Sequence, residues 1–130
     1  MRIVIMDRHA YLIMCHNGDA TLQYLLKSID DRRNDIYIHV DKKTKNFEFE
    51  KVQNSVKYSK IYFTTRINVS WGGYSLIKAE LILLESALKH SSYTYFHFLS
   101  GNDMCIKSQN YIHEFFEKND GKIFLTFCGN

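Results

Sequence analysis

Ala10-Tyr11-Leu12-Ile13-Met14-Cys15 is the stretch on which the fold turns. It runs without alternation between Asp7-Arg8-His9 and His16-Asn17-Gly18. A strand with one wet face alternates apolar and polar residues. A strand buried on both faces does not, and such strands belong to parallel sheets covered by helices. Ile36-Tyr37-Ile38-His39-Val40 repeats the pattern with more β-branched residues and ends in Asp41.

Between these strands Asp19 is a good N-cap, and Leu22, Leu25, Leu26 and Ile29 follow at helical spacing. The spacing predicts an amphipathic helix over 19–30, then a polar loop over 30–35. Residues 42–57 are polar, with a short helix expected around 48–53. Lys60-Ile61-Tyr62-Phe63-Thr64 reads as a third strand. A helix over 75–89 carries Leu76, Ile77, Ala79, Leu81, Leu84 and Leu88, which predicts a broad, well-buried face. Tyr93-Thr94-Tyr95-Phe96-His97-Phe98-Leu99 reads as a fourth strand and the most central one. Ser108 can cap a helix over 109–118 with Tyr111, Ile112, Phe115 and Phe116 on one face. Gly121 suits its C′ position, and residues 122–127 read as a fifth strand. Alternating strands and helices argue a single α/β domain over 1–130, with a mostly parallel sheet and helices on both faces.

Composition narrows the function. The net charge of +3 permits an anionic ligand but supplies no basic footprint for nucleic acid. The basic runs Asp30-Asp31-Arg32-Arg33 and Asp41-Lys42-Lys43 contain acids and read as solvated loops. Three widely spaced cysteines, Cys15, Cys105 and Cys128, form no metal or redox motif and fit a reducing cytoplasm. No apolar run approaches the ~18 residues of a membrane span, so any membrane association is expected to be peripheral.

In parallel α/β sheets ligands gather outside the carboxyl ends of the strands. That rule selects His16, Asp41, the 64–74 segment and Ser100-Gly101-Asn102-Asp103. Asp41 is either a ribose or base contact or a strand-end acid that caps the next turn and pairs with Lys42 or Lys43. Ile67-Asn68-Val69-Ser70-Trp71-Gly72-Gly73-Tyr74-Ser75 holds the only tryptophan and the only Gly-Gly pair, at a strand-to-helix junction. Such a junction can face an anion, or it can be a packing corner where glycines relieve crowding beside a large ring. Gly101 stands where metal-dependent sugar transferases carry the first acid of Asp-x-Asp, which argues against a bound divalent ion. His9, His39, His90, His97 and His113 show no ligand spacing. Neither a serine-nucleophile elbow nor a phosphate-loop lysine is present.

Taken together, Ala10 to His16, Ile36 to Lys43, Val69 to Ser75, and Tyr95 to Asp103 with Lys107-Ser108 resemble the N-terminal half of the core-2/I-branching β-1,6-N-acetylglucosaminyltransferases, glycosyltransferase family 14, in their bacterial form. The likeness extends through Ile112-His113-Glu114-Phe115-Phe116. It implies a Rossmann-like GT-A nucleotide-sugar transferase fold. It also implies inverting transfer of N-acetylglucosamine from a UDP-sugar to a glycan or saccharide hydroxyl, without a metal or other cofactor. On that reading His16 and its neighbours line the uracil pocket, and Asp41 faces the uridine. Trp71, Gly72, Ser100, Gly101 and Asp103 line the donor sugar. A bacterial member would work in the cytoplasm or peripherally at the inner face of the membrane.

Two departures bear on this. Family members often carry a proline after the position of Asp103, where Met104-Cys105 stand here. The family's glutamate base and the basic residues for the diphosphate are expected beyond Asn130, so the chain reads as a truncated, donor-binding half. Glu80, Glu85 and Glu114 fall on helices, and no catalytic base is assigned. The other class of reading is a non-catalytic nucleotide-binding or scaffold domain.

Overall fold

A computed structural model describes residues 8–70, 73–101 and 109–118. The elements alternate as the patterning predicts: β1 (His9–Cys15), α1 (Ala20–Ile29), β2 (Asn34–Val40), α2 (Phe49–Gln53), β3 (Lys60–Phe63), α3 (Tyr74–His90), β4 (Tyr95–Ser100) and α4 (Gln109–Lys118). The expected fifth strand, Ser108 and Gly121 lie outside the described residues. Asp19 caps α1 as expected, its side chain accepting from the Leu22 amide at 3.3 Å.

The four strands are all parallel, in the order β3-β2-β1-β4. The chain steps outward from β1 to β3, then returns to lay β4 on the other side of β1. The strand order thus reverses between β1 and β4, and open α/β sheets hold ligands outside the carboxyl ends of their strands near such a reversal. Alternate residues of β1 supply two cores. Tyr11, Ile13 and Cys15 meet α1, with Val52 of α2 in the same cluster. Ala10 and Leu12 meet Leu83 and Ala87 of α3 on the opposite face.

Two expectations about burial change. β4 is not the centre of the described sheet: it stands at one end and is only partly buried, while β1 and β2 are covered on both faces. Helix α3 does not bury the broad face expected of it. Ala79, Leu83 and Ala87 face the sheet, whereas Ile77, Leu81 and Leu88 are 53%, 56% and 60% exposed. The two sets lie on opposite sides of one helix, and a single sheet can cover only one. The alanines present little bulk, so the helix backbone can lie close to the strands.

Helix α4 also docks by an unexpected side. Gln109, Ile112 and His113 are buried, while Tyr111 and Phe115 are exposed. The polar side goes in because the surface beneath it is polar. Tyr11 Oη donates to Gln109 Oε1 at 2.9 Å. Asn34 Nδ2 donates to the same oxygen at 2.7 Å and to the Ile29 carbonyl at 2.8 Å. The remaining Asn34 oxygen can only accept, so His113 Nε2 is the donor of the 2.8 Å bond between them. His9 Nδ1 and His97 Nε2 share a hydrogen bond of 2.9 Å, and the His9 and His113 rings are 3.7 Å apart. Burial is the main cause that pushes His9 down to about 2 and His97 and His113 down to about 4; the charges of His113 and His97 add to it at His9, that of His113 at His97, and that of Arg33 at His113. The cluster is therefore held neutral.

Leu83→Ala should cost about 2–5 kcal/mol of stability, and Leu81→Ala within about 0.5 kcal/mol of nothing, as read from urea unfolding. Equal losses would contradict the docking side of α3. The histidine cluster sets a second expectation. Unfolded histidine titrates near 6.5. Between that value and the depressed folded ones the unfolded chain binds more protons, so stability falls as pH falls. Each buried histidine contributes a slope of about 1.4 kcal/mol per pH unit in that window. Burial shifts His39 in the same direction. Asp31, held down to about 2 chiefly by its hydrogen bond from Arg33, acts only at lower pH. Urea midpoints should therefore drop between pH 7.5 and 5.5, and a flat profile there would contradict a neutral cluster.

Candidate functional site at the carboxyl edge of the sheet

Strands end where their ladders end, and the last carbonyls and amides need other partners. Here those partners come from the loops that follow. The Asp41 amide donates to the Cys15 carbonyl at 2.9 Å, and the Gly101 amide to the Met14 carbonyl at 2.8 Å. These bonds set Asp41 and Gly101 on either side of the end of β1.

Asp41 is buried, and its two oxygens have different surroundings. Oδ1 accepts from the Lys43 amide at 3.0 Å and the Val69 amide at 3.3 Å. Oδ2 lies 3.7 Å from Lys43 Nζ, which donates to the Val69 carbonyl at 2.7 Å. Burial alone would raise this carboxyl. The amide bonds and the ammonium outweigh it and hold Asp41 below the ordinary range. Both readings of Asp41 are thus geometrically present: it caps its own turn and pairs with Lys43, and Oδ2 retains capacity to accept a bond from a ligand.

His16 follows β1 directly and is exposed, while its carbonyl accepts from the Thr44 hydroxyl. Ser100 ends β4, paired in register with Met14. Gly101 is glycine for a packing reason. A Cβ there would stand 2.7 Å from the Cβ of Cys15. His16, Asp41, Ser100 and Gly101 therefore share one edge of the sheet. Trp71, Gly72 and Asp103 lie outside the described residues. At the flank of that gap, Gly73 caps α3, and Ser70 accepts and donates around the turn: its carbonyl takes the Gly73 amide at 3.1 Å, and its amide donates to Ser75 Oγ at 2.7 Å.

Two further side chains stand at this edge that local patterning does not single out. His39 is buried, and its Nε2 accepts from the Ile67 amide at 3.1 Å, which requires a ring unprotonated at that nitrogen. Arg66 donates to the Val40, Asp41 and Thr44 carbonyls. Both ties join the segment after β3 to the end of β2. Arg66 lies in the 64–74 segment that the carboxyl-end rule selects, so position was the available signal. A small cleft runs between Met14, His16, His39, Asp41 and Val69. Its polar groups are acceptors and donors rather than nucleophiles. Asp41 is an ionised acceptor, and burial pushes the Cys15 thiol up to about 12, far from a nucleophile at neutral pH. Glu85 pairs with Lys89 at 2.8 Å on the outside of α3, and Glu114 is exposed on α4. No second carboxylate accompanies Asp41 among the residues lining the cleft.

Gly101→Ala should lower stability by about 1–3 kcal/mol, because β1 or β4 must shift to admit the methyl group. Thermal unfolding reads this directly, and an unchanged midpoint would mean that the strand ends are not in contact.

Comparison with known proteins gives a consistent result. Residues 9–128 match the family described as Core-2/I-Branching enzyme. Xylosyltransferase 2 of Rattus norvegicus and that of Homo sapiens are each 30% identical over 126 residues, covering 94% of this chain and 15% of the relative. Xylosyltransferase 1 of Homo sapiens is 28% identical over 126 residues, covering 94% of this chain and 13% of the relative. The chain thus spans about one seventh of the length of these curated relatives.

Proposed function

The chain belongs to the Core-2/I-Branching enzyme family, and from that premise we propose that it carries the donor-binding part of an inverting glycosyltransferase that uses a UDP-sugar. The observation that carries the proposal is Asp41: a buried carboxylate, held ionised at the end of β2 in a small cleft shared with Met14, His16, His39 and Val69, with one oxygen taken by the Lys43 and Val69 amides and the other able to accept from a ligand. In the proposal it accepts from the uridine, and His16 lines the base. Ser100 and Gly101, with Trp71, Gly72 and Asp103, line the sugar.

The reaction assigned to the whole enzyme is displacement at the anomeric carbon. The acceptor hydroxyl of a glycan or saccharide attacks from the face opposite UDP. The new C–O bond forms as the bond to the diphosphate breaks, and configuration inverts. The acceptor proton passes to a general base and negative charge gathers on the departing UDP, so the step needs both a base and positive charge. No base is assigned among the described residues. Donor binding without a divalent ion is part of the proposal. A carboxylate at position 101, where the first acid of Asp-x-Asp would stand, would collide with Cys15.

N-acetylglucosamine is the donor sugar proposed first. The relatives named xylosyltransferase make xylose the second reading. Titration by NMR or calorimetry with UDP, UDP-N-acetylglucosamine and UDP-xylose, with and without EDTA, distinguishes them. UDP is expected to bind equally well in EDTA, and Asp41→Asn to weaken it about tenfold, the loss of one charge-assisted bond. No uridine-dependent change at millimolar ligand would overturn the donor site, and loss of binding in EDTA would overturn metal independence.

A further inference from the structure

Arg66 offers an inference that goes beyond the donor contacts and rests on the nucleotide-sugar reading of the site. Its Nε donates to the Val40 carbonyl at 3.2 Å, and its Nη2 donates to the Asp41 carbonyl at 2.9 Å and the Thr44 carbonyl at 2.8 Å. It is only partly exposed, and its guanidinium carbon lies 5.5 Å from the centre of the Phe49 ring. Among the described residues no carboxylate pairs with it, so its partners are backbone oxygens and an aromatic face. An arginine used this way is a clamp: its planar fork fixes three carbonyls of one loop at once.

The clamp acts at the turn that carries Asp41. Around the same turn the Lys42 amide donates to the Ile67 carbonyl at 3.0 Å, the Thr44 amide to the Asp41 carbonyl at 2.9 Å, and the Ile67 amide to His39 at 3.1 Å. The segment 66–69 is thereby laced onto residues 39–44, and the Val69 amide arrives at Asp41 Oδ1 from that lacing. We propose that Arg66 is a positioning residue for the nucleoside: it holds the Val40, Asp41 and Thr44 carbonyls so that the Asp41 carboxylate is presented in one orientation, and it does so without itself touching the diphosphate.

The alternative use of a cation at such a site is direct contact with phosphate, and the two make different predictions. A clamp that orients Asp41 serves uridine and UDP equally. A phosphate ligand serves only UDP. Arg66→Met should therefore weaken uridine and UDP by the same factor, about tenfold, as expected when a recognition group is misplaced rather than removed. Arg66→Lys, which keeps the charge and part of the donor set, should fall between. A loss confined to UDP, or no loss for either ligand, would overturn the positioning role.

A ligand-free arm separates this from failure of the donor reading. The 13C shift of the Asp41 carboxyl, followed against pH, should show the pKa rising towards the ordinary carboxylate value in Arg66→Met, and by less in Arg66→Lys. An unchanged Asp41 titration in both variants would overturn the clamp even if the parent chain bound no nucleotide. A raised titration together with absent binding in the parent chain would uphold the clamp and remove the donor site. If Arg66→Met fails to fold, as judged by circular dichroism, Arg66→Lys carries the same comparisons.

Discussion

The carboxyl edge of this sheet depends on one constraint: parallel strands end in peptide groups that the ladder no longer pairs, and buried peptide groups must be paired. At the ends of β1 and β2 they are paired by neighbouring loops and by side chains. Cys15 receives the Asp41 amide, Met14 receives the Gly101 amide, and Val40, Asp41 and Thr44 receive the fork of Arg66. The candidate site is largely this solution. Asp41 is fixed there because its backbone joins two strand ends and its side chain draws in the amides of Lys43 and Val69.

The two ends of the sheet solve the same problem differently. At the amino end, α4 closes over His9, Tyr11, Asn34 and His97 with its own polar side, and the Gln109 carbonyl and the His113 ring are hydrogen-bonded within the group while the Gln109 amide nitrogen is not. At the carboxyl edge the groups are charged, the loops are partly exposed, and a cleft remains between them.

Burial of the helices shows why an apolar pattern does not by itself state which face is covered. Tyr74, Ile77, Leu81 and Leu88 form a stripe on α3 as regular as the one that packs, yet the sheet takes Ala79, Leu83 and Ala87. In α4 the sheet takes glutamine and histidine beside Ile112 and leaves Tyr111 and Phe115 outside. In each case the choice belongs to the facing surface: close approach favours small residues on α3, and the polar side chains of β1 and β2 favour polar ones on α4.

The element order, the parallel α/β class and the positions of the strand ends were legible in local patterning: unbroken apolar strands, the Asp19 cap and helical leucine spacing. That patterning also placed Asp41, His16, Ser100 and Gly101 together, since strand ends of a parallel sheet lie on one edge. Tertiary structure alone decided that β1 and β2 are the covered strands, that Gly101 is small on account of Cys15, and that His9, His97 and His113 meet. It alone brought Arg66 and His39 into the site. The physical reason is sequence separation: Arg66 meets carbonyls 22 to 26 positions away, and His9 meets His97 across 88. Contacts at that distance depend on strand order and register, which local periodicity does not encode.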